Sequence, residues 1–287
     1  MPEYRWSGEL HYTSPVDDHP PDTCLFGENG FKTDHDVLHA ISNYTTRLLN
    51  DPHESVELDT LPVLTSTDGN IRNSYIAIRF LVHFVGDAHQ PLHLTSRERG
   101  GNGDPVIFEG RRMSLHGLWD TGLITKAVRD QRNYTRPLPS YVPRRNYWHG
   151  TAQSAHCSRQ IEDSLQGTIY DPYIRLILWE GVRVWWRNSF HTWFDCPTPQ
   201  TSVQKTAPRW LEKMHQIAIS AGLLPRTSVD GLCPMEWARE THQVTCSMVF
   251  PPDYNPEAPA RELNTQAYYG RVRGRCPHQF KLCSSQC

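Results

Sequence analysis

A chain of 287 residues can bury a full hydrophobic core, as one large domain or two small ones. Its 29 basic and 31 acidic side chains leave a net charge of -2, which excludes a broad polybasic surface as the source of any nucleic-acid affinity. No apolar run approaches the roughly eighteen residues of a membrane-spanning helix, and the opening MPEYRWSGEL is polar, so no signal peptide is expected in the chain as given.

The first segment, MPEYRWSGELHY, carries Arg5, His11 and Tyr12. Residues 13–31, rich in proline and aspartate and containing Cys24, form an irregular loop. Val37, Leu38, Ile41, Tyr44 and Leu48 recur at helical spacing and predict a helix over 33–50, with Asp34 as its cap and Asn50-Asp51-Pro52 as its stop. After a polar loop over 51–70, a second helix is expected over 71–89, with Ile76, Phe80 and Phe84 on one stripe. Gly100-Gly101-Asn102 is a turn, and Val106-Ile107-Phe108 is either a short strand or an extended piece.

A helix over 116–130 follows, then a loop rich in proline and arginine over 131–145. Helices are expected over 147–165, 171–194, 205–222 and near 234–244. In 171–194 the stripe of Tyr173, Trp185, Trp186 and Trp193 is expected to pack into the core. The final RVRGRCPHQFKLCSSQC, residues 271–287, is a basic tail without periodicity, which leaves 1–270 as the domain. Eight cysteines without a C-x-x-C pair, and N-x-T sequons at Asn43 and Asn133, point to disulfides, glycosylation and an oxidising compartment.

The chemistry concentrates between His83 and Asp120. The pattern H-x-x-x-D occurs there twice, as His83/Asp87 and His116/Asp120. Four residues apart on a helix, an imidazole and a carboxylate lie side by side. His93 stands between the pairs, just after Pro91, where a helix must stop or kink. Such a set suits a borderline cation such as zinc. His89 lies off the face of His83 and Asp87 and is either a supporting or a surface group.

The run FLVHFVGDAHQPLH, followed by GGN and SLHGLWD, resembles the signature of the zinc-dependent, single-strand-specific nucleases, distant relatives of bacterial zinc phospholipase C. The resemblance implies a mainly α fold, a single helical domain of that type, binding up to three zinc ions. It implies one complete zinc site, His93, His116 and Asp120, and a second that keeps His11, His83 and Asp87. Pro2 stands where that second site expects an aspartate, and only the bridging Asp87 of the third site is present. Arg5 matches an arginine on the scissile phosphate, Tyr12 an aromatic of the base pocket, and Cys24 and Cys246 a disulfide pair. Asn102 matches a substrate-contacting asparagine; a turn asparagine chosen for its backbone accounts for it equally well.

The implied activity is metal-assisted hydrolysis of single-stranded DNA or RNA to 5′-phosphorylated products, with 3′-nucleotidase activity, by a secreted monomer independent of membranes. Two alternatives stand beside it: a non-catalytic zinc-binding remnant, and a phospholipase C-like phosphoesterase. Missing ligands at the start and the basic tail at the end are expected of an N-terminally truncated and C-terminally altered family sequence, as a misread gene would give; a genuine divergent paralogue is the alternative.

Overall fold

A computed structural model describes residues 2–49, 69–137, 161–189, 196, 232–250, 260–263 and 267–272. The fold is mainly α, with one small sheet among the described residues. It divides into two compact units, Met1–Ser96 with Phe194–Pro252, and Arg97–Trp193 with Asp253–Cys287. The expected helix over 205–222 and most of that over 147–165 lie outside the described residues, as does 273–287 of the tail.

The first unit is built on helices α1 (Val37–Leu49) and α2 (Gly69–Asp87). Their apolar stripes meet through Tyr44, Phe80 and Phe84, whose ring centroids lie 5.3–5.6 Å apart. Around these rings Val37, Leu38, Ile41, Ala77 and Ala88 close a core that also takes in Leu10, Phe26 and Ala238. The cap of α1 is Asp36, where Asp34 was expected. Asp36 directly precedes Val37, so its Oδ1 reaches the N–H groups of Leu38 and His39 at 3.1 and 3.0 Å, while Thr13 Oγ1 donates to its Oδ2 at 2.6 Å. Asp34 is exposed.

The opening segment folds as a 3-10 helix over Pro2–His11. Pro91–Leu94 forms a 3-10 turn, capped by the side chain of Gln90, which accepts from the N–H of Leu92 at 2.7 Å. A later helix, Pro234–Val244, continues as a π-helical turn over Thr245–Val249, and Thr245 Oγ1 donates to the carbonyl of Pro91. Cys24 is joined to Cys246, and Cys196 to Cys233.

In the second unit, β1 (Pro105–Phe108) pairs antiparallel with β2 (Arg111–Ser114) and parallel with β3 (Arg261–Glu262). The hairpin turns on Glu109 and Gly110, both at positive φ, as a two-residue turn with the twist of the strands requires. Ser114 then caps a helical run: Leu115–Gly117, a π-helical stretch over Leu118–Gly122, and Leu123–Asp130. Trp119 is buried there and its indole N–H donates to Tyr268 Oη at 2.9 Å. Burial pushes the Tyr268 hydroxyl up to about 12, so it stays protonated as the indole's partner.

The helix Asp171–Leu176 also runs on in π form, over Ile177–Trp185. The aromatic stripe is core only in part: Tyr173 and Trp186 are buried, while Trp185 is exposed. Trp193 lies outside the described residues. Trp186 folds back over Gly181, and a Cβ at position 181 would come within 2.2 Å of its indole. Gly181→Ala is therefore expected to cost about 1–3 kcal/mol by overpacking, read as a lowered denaturant midpoint. An unchanged midpoint would mean that Trp186 has other room.

Candidate metal centre

Asp87 is the centre of the site in the first unit. It is the last residue of α2, and its side chain is only 10% exposed. Three imidazoles approach its carboxylate. His11 Nδ1 lies 2.8 Å from Oδ2, His83 Nε2 3.5 Å from Oδ2, and His93 Nδ1 3.2 Å from Oδ1. His83 comes from one turn earlier on α2, as the spacing of four predicts. The 3-10 turn after Pro91 delivers His93, and its carbonyl accepts from the N–H of Thr13 at 2.8 Å, which ties the turn to the opening segment. His11 closes the first helix and stands edge-on to His83, ring centroids 4.9 Å apart.

The donor atoms suit a cation. Ligand atoms of His11, His83 and Asp87 all lie within 4.8 Å of one another. Ser7 Oγ donates its proton to the carbonyl of Tyr4 at 2.8 Å and lies 3.3 Å from His11 Nε2, so it is placed to accept from that nitrogen. The tautomer this favours turns the Nδ1 lone pair toward the Asp87 carboxylate. A shared proton or metal cation resolves that conflict. Ser7 did not figure in the sequence expectations, although its place four residues before His11 is the signal for it.

Burial pushes the Asp87 carboxyl up, but hydrogen bonds with His11 and His93 and the charges of His93 and His83 outweigh it and hold the group below the usual carboxylate range. A depressed carboxyl stabilises the fold above its unfolded value, near 4. That contribution is lost as pH falls through the lower folded value.

The second unit places His116 and Asp120 together. His116 Nε2 lies 3.1 Å from Asp120 Oδ2, and His116 Nδ1 lies 2.6 Å from the carbonyl of Gly100. A carbonyl only accepts, so Nδ1 carries a proton, and Nε2 meets the Asp120 carboxylate either as a second donor or, with a cation between them, as a metal ligand. Gly100 can serve there because the chain turns sharply, with Arg99 and Gly100 both in the left-handed region. The side-chain amide of Asn102 donates to the carbonyl of Arg99 at 3.0 Å and secures this turn.

Among the other expected site residues, Arg5 is exposed on the 3-10 helix and Tyr12 is 44% exposed just beyond its end. His89 Nδ1 lies 2.7 Å from the carbonyl of Val85 and its ring stacks on Trp237, so it belongs to helix packing. Asn43 is exposed on α1, and Asn133 in the turn after Asp130.

Imidazole–carboxylate clusters of this kind, on a mainly α fold, offer the donor set of a metal-binding protein. The family described as S1/P1 Nuclease matches residues 1–206, and the chain belongs to that family. It is 32% identical over 136 residues to Nuclease S1 of Aspergillus oryzae, covering 44% of this chain and 40% of that protein. Over 156 residues it is 32% identical to Nuclease P1 of Penicillium citrinum, covering 52% and 50%. Endonuclease 2 of Arabidopsis thaliana is 33% identical over 140 residues, covering 45% and 42%. The chain thus spans about half the length of these curated relatives, or less.

Proposed function

We propose that this chain is a zinc-dependent endonuclease that hydrolyses single-stranded DNA and RNA to 5′-phosphorylated products and acts on 3′-nucleotides. The observation that carries the reading is Asp87, a buried carboxylate with three imidazole nitrogens at 2.8–3.5 Å, in a chain of a nuclease family. When bound, zinc supplies a Lewis acid for a phosphoryl oxygen and lowers the pKa of water. Asp87 neutralises and positions the cation, with His11 and His83 as the other donors. His93, His116 and Asp120 are proposed as a further ligand set, on the sequence resemblance. Arg5 offers a fork of donors for phosphate oxygens. Tyr12 offers a ring on which any base can stack, and Asn102 holds the turn that orients His116. Disulfides and exposed sequons at Asn43 and Asn133 support a secreted, glycosylated protein, and we take it to act as a monomer.

One observation favours a second reading. Pro2 stands where the resemblance expects an acidic ligand, and a proline cannot replace it. Zinc bound without turnover is the result that reading requires. Zinc per folded chain, measured by elemental analysis after size exclusion, is therefore paired with initial rates on single-stranded DNA, a 3′-nucleotide and a phosphatidylcholine. Two or more zincs with cleavage of the nucleic acid support the nuclease. Zinc without cleavage selects the non-catalytic reading, and preference for the lipid overturns both.

A further inference from the structure

The first unit holds another group of ligating side chains, separate in its residues from the Asp87 cluster and unused by the nuclease reading. Ligand atoms of Asp18, His242 and Cys246 lie within 4.8 Å of one another. His242 and Cys246 are four residues apart where the helix Pro234–Val244 passes into its π-helical end, so they share a face. Asp18 comes from the irregular segment before α1. Asp18 and His242 have side chains only 0% and 4% exposed, with Oδ1 and Nε2 2.9 Å apart.

This pair is oriented as metal ligands are. Thr95 Oγ1 donates to Asp18 Oδ2 at 2.6 Å, which fixes the carboxylate and turns Oδ1 to the imidazole. The backbone N–H of Leu25 reaches the same Oδ1 at 3.3 Å. Phe26 packs against the imidazole, with ring centroids 5.0 Å apart, and gives the pair a dry wall. Cys246 is bonded to Cys24, so a second sulfur is held one bond beyond this group. Two ligand atoms on one tetrahedral zinc lie roughly 3.2–3.8 Å apart. The oxygen and nitrogen therefore need to part by only a few tenths of an ångström.

We propose that opening the Cys24–Cys246 disulfide turns this cluster into a zinc site of two cysteines, His242 and Asp18. A dithiol delivers two electrons and two protons: its own disulfide forms, the Cys24–Cys246 bond breaks, and two thiols result. Binding zinc then releases both thiol protons to solvent and leaves two thiolate ligands. The same junction is clasped by a disulfide in an oxidising compartment and by a metal in a reducing one.

The test is a cobalt titration of the full chain, read as near-ultraviolet thiolate-to-cobalt absorption. Imidazole and carboxylate ligands at Asp87 do not produce that band. The reduced chain is expected to take up one cobalt with this band, and zinc to displace it; the disulfide-bonded chain is expected to show none. Replacing both Cys24 and Cys246 by serine should abolish the band, and His242→Gln should weaken cobalt binding at least tenfold. A band that survives the double replacement, or that is indifferent to His242→Gln, overturns the proposal, because another cysteine group then holds the metal. Cys24→Ser frees the Cys246 thiol without any reductant and guards against unfolding on reduction. This variant should show a one-thiolate band if folded, or recover its near-ultraviolet circular dichroism on adding zinc if not. Neither response in that variant also overturns the proposal.

Discussion

Asp87→Asn is expected to remove zinc from the first unit and to lower the rate on single-stranded DNA at least a hundredfold, the scale of losing one strong electrostatic group from a phosphoryl-transfer site. The substitution keeps the shape of the side chain and removes its charge. Three imidazoles converge on that carboxylate at 2.8, 3.2 and 3.5 Å, and an amide can satisfy neither them nor a divalent cation as well. Asp87 also contributes to folding, since its partners hold its pKa down. The metal-free variant is therefore expected to lose about 1–3 kcal/mol of stability. His83→Ala separates the two effects. His83 is 61% exposed and at the longest of the three distances, so its removal should leave the unfolding midpoint almost unchanged while zinc content falls. If Asp87→Asn loses stability but His83→Ala keeps full zinc, the cluster is a structural ion-pair group and the catalytic reading fails. The measurements are elemental analysis, initial rates and denaturant melts on the same preparations.

The part of this site that was legible in the sequence is the part written locally. His83 with Asp87 and His116 with Asp120 are spaced for one helix face, and both pairs meet, even though the second spans the start of a π-helical stretch. The approach of His11 to Asp87, across 76 positions, has no local signature and came only through resemblance. Asp18 and His242 are 224 positions apart, one in an irregular loop and the other inside an ordinary amphipathic helix, and nothing in either neighbourhood announces the other.

Local rules also failed where two residues competed or where burial decided. Asp34 and Asp36 both suit a helix start; the nearer one wins because only its carboxylate reaches the first free N–H groups. Strand β2 reads Arg-Arg-Met-Ser, with no apolar alternation, since its pairing partner β1 supplies the buried Val106 and Phe108. Tyr173 and Trp186 are buried while Trp185 is not, because Trp185 ends the π-helical stretch and Trp186, just beyond it, leaves helical geometry and folds back over Gly181.

Replacing both Cys24 and Cys246 by serine should lower the stability of the first unit by roughly 3–5 kcal/mol, since the bond spans 222 positions and removes much freedom from the unfolded chain. For a unit of this size that is a drop of roughly 6–20 °C in melting temperature. The Cys196–Cys233 disulfide spans 37 positions, and the same entropy argument makes it worth roughly 1–2 kcal/mol less. Eight cysteines allow 105 fully paired connectivities, so spacing alone could not have given either bond. The two double-serine variants therefore test the cause as well as the size. A larger loss on removing the long-range bond places its effect in the unfolded chain. A reversed order would place it in native packing around Asp18 and His242, and the buried pair would then be the true clasp at this junction, with the disulfide secondary to it.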